Sequence, residues 1–117
     1  MFMLADSPKI FLASKPVDMR KSYQGLGVLV GEDLIQDPFS GHLFVFYNKR
    51  RDRLKILYWH INGFCVWQKR LEKGCFQITG PLSGVSIGIT SYQLQGLTQG
   101  IDWEKIPEPK VLSYQHL

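Results

Sequence analysis

Residues 42–60 decide the fold. His42–Asn48 reads HLFVFYN, Arg53–His60 reads RLKILYWH, and the basic link Lys49-Arg50-Arg51-Asp52 lies between them. Both runs are rich in aromatic and β-branched residues, which favour strands. A chain that reverses within so short a link lays its two strands antiparallel, so the segment predicts a hairpin with a four-residue basic tip. Asn62-Gly63 is a second turn signal and leads into Phe64–Glu72, FCVWQKRLE. That run alternates as a strand, yet it also sets Phe64, Trp67 and Leu71 at helical spacing. The Asn-Gly turn before it and Lys73-Gly74 after it favour the strand.

Outward toward the C-terminus, Cys75–Thr79 reads as a strand, Gly80–Gly84 as a loop and Val85–Ile89 as a short edge strand. Thr90 and Gln93 fit a capping box, opening a helix of roughly ten residues that stops at Gly100. The stretch from Glu104, with Pro107 and Pro109, has no periodicity and reads as an irregular tail over residues 104–117. Outward toward the N-terminus, Asp37–Gly41 is dense in turn formers. Before it, Met19, Tyr23, Leu26, Val30 and Leu34 recur at helical spacing, so a helix is predicted over Met19–Leu34 with Asp18 as its N-cap. Gly25, Gly27 and Gly31 weaken that helix, or mark a face where another backbone packs closely. Lys9–Ala13 reads as a strand ended by Ser14-Lys15-Pro16. The expected architecture is α+β: an antiparallel β-meander of four to five strands packed with one or two helices, in a single domain spanning 1–117 with an ordered core over about residues 9–103.

Composition agrees with a packed globular chain. Of 117 residues 44% are hydrophobic and 21% charged, and seven Phe, five Tyr and three Trp supply large core pieces. This excludes a collagen-like repeat, a coiled coil and a disordered tail. The opening MFMLADSPKIFLASKP lacks the basic start of a secretory signal, and no window reaches the about 18 consecutive apolar residues of a membrane span. Cys65 and Cys75 cannot form a disulfide framework and read as reduced, buried thiols. A cytoplasmic protein with no membrane association is expected.

The formal net charge is +4, but its distribution matters more. Between Asn48 and Gly74 stand Lys49, Arg50, Arg51, Arg53, Lys55, Lys69, Arg70 and Lys73 against Asp52 and Glu72, so this segment carries +6 and the remainder −2. Lysines and arginines neutralise phosphates and release counterions, so a cationic hairpin suits nucleic acid. Trp59, Phe64 and Trp67 offer stacking faces if exposed, although the plainer reading makes them core. The plainer reading of the tip itself is a solvated loop that discourages edge pairing. Arg20 and Lys21 open the first helix, where the dipole disfavours cations; they either complete an anion site or are simply solvated. The candidate nucleic-acid-binding residues are therefore Arg20, Lys21, Lys49, Arg50, Arg51, Arg53, Lys55, Lys69, Arg70 and Lys73.

No catalytic centre is legible. His42, His60, Cys65 and Cys75 lack the close pairs that nucleate a zinc site. Asp18, Glu32, Asp33 and Asp37 cluster in sequence without the convergence a two-metal nuclease requires. There is no nucleophile elbow, phosphate loop or dinucleotide fingerprint; Gly25-Leu26-Gly27 lies inside a helical pattern. No catalytic residue, no metal and no cofactor is expected.

Several blocks together carry a family resemblance: Asp18-Met19-Arg20-Lys21, Asp37 through Phe46, Lys55-Ile56-Leu57-Tyr58-Trp59, Asn62-Gly63-Phe64, Trp67 with Lys69-Arg70-Leu71-Glu72, Gly74, Phe76, and Ile101-Asp102-Trp103. In this order they resemble the small accessory protein from the second open reading frame of the insertion-sequence-sixty-six family (TnpB-type, Orf2-like), over about Lys9 to Trp103. Ser22, His60-Ile61 and Cys75 depart from its usual pattern. The resemblance implies a bacterial mobile element, a separate larger transposase as partner, and a non-enzymatic role in DNA transposition. Two readings follow: contact with transposon DNA through the basic hairpin, or a protein interaction module that docks on the transposase without touching DNA.

Overall fold

Residues 8–78 and 82–102 are described by a computed structural model of the chain. The elements run β1 (Ile10–Ala13), α1 (Tyr23–Glu32), β2 (Leu43–Tyr47), β3 (Arg53–His60), β4 (Gly63–Arg70), β5 (Ser86–Ile89) and α2 (Ser91–Thr98). The α+β class stands, with five strands in the order β4-β3-β2-β1-β5. The sheet is mixed rather than an antiparallel meander. β2, β3 and β4 are joined by tight turns and pair antiparallel, but β1 pairs parallel with β2, and β5 pairs antiparallel with β1. The reason is the connection: α1 lies between β1 and β2, and a helical crossover returns the chain in its original direction.

β2 is buried at all five positions because both faces of the sheet are covered. Leu43, Val45 and Tyr47 join Leu12, Leu54, Ile56, Leu94 and Leu97 on the α2 face. Phe44 and Phe46 join Leu26, Val30 and Leu57 on the α1 face. The predicted strand at Cys75–Thr79 does not form over 75–78, and Thr79 lies outside the described residues. Instead Phe76 and Ile78, each 1% exposed, plug the α2 face, while the Phe76 amide donates to the Arg51 carbonyl. Gly74, at φ 75°, permits the preceding reversal. The tail from Glu104 also lies outside the described residues.

α1 is shorter than its apolar period. Met19 and Leu34 are both buried, but in the flanking turns. A helix beginning at Met19 would need the carbonyls of Met19 and Lys21 for its own amides, and both accept from Lys55 Nζ, at 2.7 and 3.1 Å. Asp18 accordingly does not cap it: its carboxylate accepts from the Arg20 amide and guanidinium, and the N-cap is Ser22, whose side chain makes no capping bond. No backbone packs on the helix glycines; a Cβ on Gly27 or Gly31 meets nothing within 4 Å. The capping box of α2 is present, with Gln93 N donating to Thr90 Oγ1 and Thr90 N to Gln93 Oε1. Gly100, at φ 85°, closes the helix, and the Ile101 amide donates back to the Gly96 carbonyl.

The β3–β4 turn falls one residue earlier than Asn62-Gly63. His60 pairs with Gly63, so Ile61 and Asn62 make the turn. This register sets Ile56 against Trp67 and Leu57 against Val66. A turn centred on Asn62-Gly63 would set them against Lys69 and Gln68 instead. Apolar cross-strand matching prevails over turn preference, and it holds Ile61 at φ 55°.

Candidate nucleic-acid interface

The tip of the β2–β3 hairpin is built by Asn48. Its side-chain oxygen accepts from the amides of Asp52 and Arg53, and its side-chain amide donates to Asp52 Oδ1 at 2.6 Å. That bond, reinforced by the Arg70 and Arg50 charges, lowers the pKa of the Asp52 carboxyl. The carbonyls of Arg51 and Asp52 accept from the amides of Phe76 and Leu71, so the tip is anchored on both sides. Lys49 and Arg50 project from this braced loop and are exposed. Arg51 turns back, its guanidinium carbon 5.9 Å from the centre of the Tyr47 ring.

The alternation of β3 and β4 sorts the remaining cations. Arg53, Lys55, Leu57 and Trp59 face the α1 side opposite Arg70, Gln68, Val66 and Phe64. The Leu71 amide donates to the Asp52 carbonyl, making that a hydrogen-bonded pair; by alternation Arg53 and Arg70 form a non-hydrogen-bonded pair, the closer kind. Two arginines directly opposite repel, and no carboxylate stands within ion-pair distance of either among the described residues. A groove of about 340 Å³ runs past Arg53, Lys55, Gln68 and Arg70. Lys55, held between two carbonyls, has its pKa lowered by burial and then by the neighbouring Arg53 charge. Its grip brings the Arg20-Lys21 turn to the same side of the sheet. Arg20 shares its charge with Asp18 at 2.7 Å, and this bond holds the Asp18 pKa down at about 2.

Lys69 points to the opposite face and donates to the Thr98 carbonyl at the end of α2, at 2.8 Å. Lys73 is exposed in the turn after β4. The ten expected cations therefore divide: Arg20, Lys21, Arg53, Lys55 and Arg70 on the α1 side, Lys49 and Arg50 at the tip, Arg51 and Lys69 on the α2 side, and Lys73 in the turn after β4.

The aromatic residues form a feature that periodicity did not single out. Trp59, Phe64 and Phe39 meet with centroids 5.0 to 5.2 Å apart, and Tyr23 stacks beside Phe64 at 5.9 Å. Trp59, Phe64 and Trp67 are half-buried rather than core. Phe39 is presented by a turn in which its amide donates to Asp37 Oδ1, and this Asp-Pro-Phe turn was the available signal. Cys65 is half-buried and bonded to Tyr58, whereas Cys75 is exposed, contrary to the buried thiols expected. Burial, and then this bond, push the Tyr58 hydroxyl up to about 12.

Among the described residues no group of three or more His, Cys, Asp or Glu is placed to hold a metal ion, and no helix is long and apolar enough to cross a membrane. Two uncharacterized proteins of Sinorhizobium fredii are similar over most of their lengths. One, y4jC, is 37% identical over 103 residues, covering 88% of this chain and 87% of the relative. The other, y4hO, is 35% identical over 95 residues, covering 81% and 82%. No solved structure matches. The family model described as IS66 Orf2-like protein matches residues 8–108, which takes in every strand and helix described above, and the chain thus belongs to the IS66 Orf2-like family, accessory proteins associated with transposition.

Proposed function

We propose that this chain is a non-enzymatic accessory factor of transposition that contacts transposon DNA through the hairpin tip and the α1 side of β3 and β4, alongside a separate transposase. The observation that carries this reading is the Arg53–Arg70 pair. Like charges directly opposite on a sheet destabilise it, and bound phosphate removes that repulsion. Lys49, Arg50 and Lys21 extend the positive surface, and the bracing of the tip spares its backbone an ordering cost on binding.

Titration of the isolated protein against labelled DNA at several salt concentrations tests the reading. Phosphate contacts give a slope of about −0.9 per contact on duplex and about −0.7 on single strands. The Arg53→Gln/Arg70→Gln variant should flatten that slope by one to two contacts and weaken binding about ten-fold or more. Salt-independent binding, or none, removes DNA contact from the reading.

A second reading is docking on the transposase without DNA, and the position of β4 at the end of the sheet favours it. Among the described residues β4 is the terminal strand of the sheet, and its outer edge has the backbone groups to take a strand from a partner. A variant that keeps the transposase but loses DNA would separate the two.

A further inference from the structure

Resting on that DNA-contact reading, we infer that the DNA taken on this face is single-stranded, with phosphates on Arg53 and Arg70 and unpaired bases on the Phe39–Tyr23–Phe64–Trp59 cluster. Along β4 the side chains of Arg70, Gln68, Val66 and Phe64 form one accessible row on the α1 side. The cationic end and the aromatic end of this row lie about 20 Å apart along the strand, the length of a short stretch of extended backbone. At the aromatic end Phe39 is 57% and Tyr23 46% exposed, while Val66 between the two ends is 38% exposed. Phe39 meets Trp59 nearly edge-on, at 69°, and Trp59 meets Phe64 at 76°, so the rings lock one another in orientation. A pre-oriented, half-exposed ring cluster beside a cationic groove is what a sequence-tolerant single-strand platform needs: charge to follow the backbone, and π-faces on which bases stack.

Duplex DNA would leave the aromatic end idle. Its bases already stack on one another, so a duplex meets only the cations. A strand with unpaired bases engages both ends, and each base stacked on a protein ring adds about 1–3 kcal/mol, or five- to 150-fold. Lys55 and Lys69 are occupied by carbonyls and are not counted among the phosphate contacts.

The test is fluorescence anisotropy of the full chain with a labelled oligothymidine and with a duplex of equal length, at matched salt. The single strand should bind at least about ten-fold tighter, with quenching of tryptophan fluorescence as bases reach Trp59. Phe39→Ala should weaken single-strand binding about ten-fold and leave duplex binding within about two-fold. Phe39→Leu keeps an apolar side chain but no π-face and should be as defective, whereas Phe39→Trp should restore binding; rescue by leucine would mean a structural role and overturn the inference. Equal or tighter binding of the duplex overturns it as well, while leaving DNA contact in place. Failure to bind either DNA overturns both. Circular dichroism of each variant confirms that the fold is intact.

Discussion

Asp18, Tyr58 and Ile61 each sit in an environment that a solution measurement reads directly. The Asp18 carboxyl is held at about 2, below its usual 3.8, first by the bond from Arg20. Because the folded value is depressed, the clasp's contribution is complete above the ordinary carboxyl range and is lost as pH falls from about 4 to about 2. A carboxyl-carbon NMR titration should place the Asp18 midpoint near 2, and Arg20→Gln should return it toward 3.8. Tyr58, pushed up to about 12, stays protonated while exposed tyrosines ionise; burial raises Tyr47 as well, so an alkaline absorbance titration should show a delayed phase that Tyr58→Phe reduces by one phenol. Ile61 is a β-branched residue at φ 55° and 81% exposed, with the Asn62 amide donating to the His60 carbonyl across it. Left-handed backbone costs such a residue about 1–2 kcal/mol, partly offset by the extra chain entropy of a glycine. Ile61→Gly should therefore raise the chemical-denaturation stability by up to about 1 kcal/mol.

At the scale of elements, α2 rests on two polar devices. Thr90→Ala removes the capping bond and should cost about 1 kcal/mol. Lys69→Ala removes the donor to the Thr98 carbonyl and should cost about 0.5–1 kcal/mol by urea unfolding, with DNA affinity nearly unchanged. The contrast with Arg53 and Arg70 is the useful part, since all three cations lie on adjacent strands and only their faces differ. Much of this level was legible in the sequence. The β2–β3 hairpin, the strand reading of 64–70 and the Thr90–Gln93 box follow from alternation and turn chemistry, which are local. What escaped is non-local. The start of α1 is set by Lys55, 34 positions beyond Lys21, whose carbonyl it takes. The β3–β4 turn is set by the apolar partners of Ile56 and Leu57 rather than by Asn62-Gly63. The segment 75–78 packs without a ladder because Phe76 and Ile78 fill the α2 face as single side chains.

For the whole molecule, the charge excess was legible as a property of one segment but not as a surface. The strand period divides β3 and β4 into faces, and only with the register known do Arg53 and Arg70 fall opposite each other and Lys69 fall behind them. The same holds for Phe39, distant in sequence from Phe64 and 5.2 Å from it in the fold. The mixed topology has a further consequence, in time rather than in space. β2, β3 and β4 are neighbours in sequence as well as in the sheet, so their contacts close short loops and form early. β1 leaves the ribosome first, yet it gains its inner partner only after β2 exists and its outer partner only after Ile89 has been made. The apolar strand Ile10–Ala13 therefore has no strand partner until Leu43–Tyr47 has been made, and in pulse-labelled hydrogen exchange during refolding its amides should become protected after those of Leu54–Trp59.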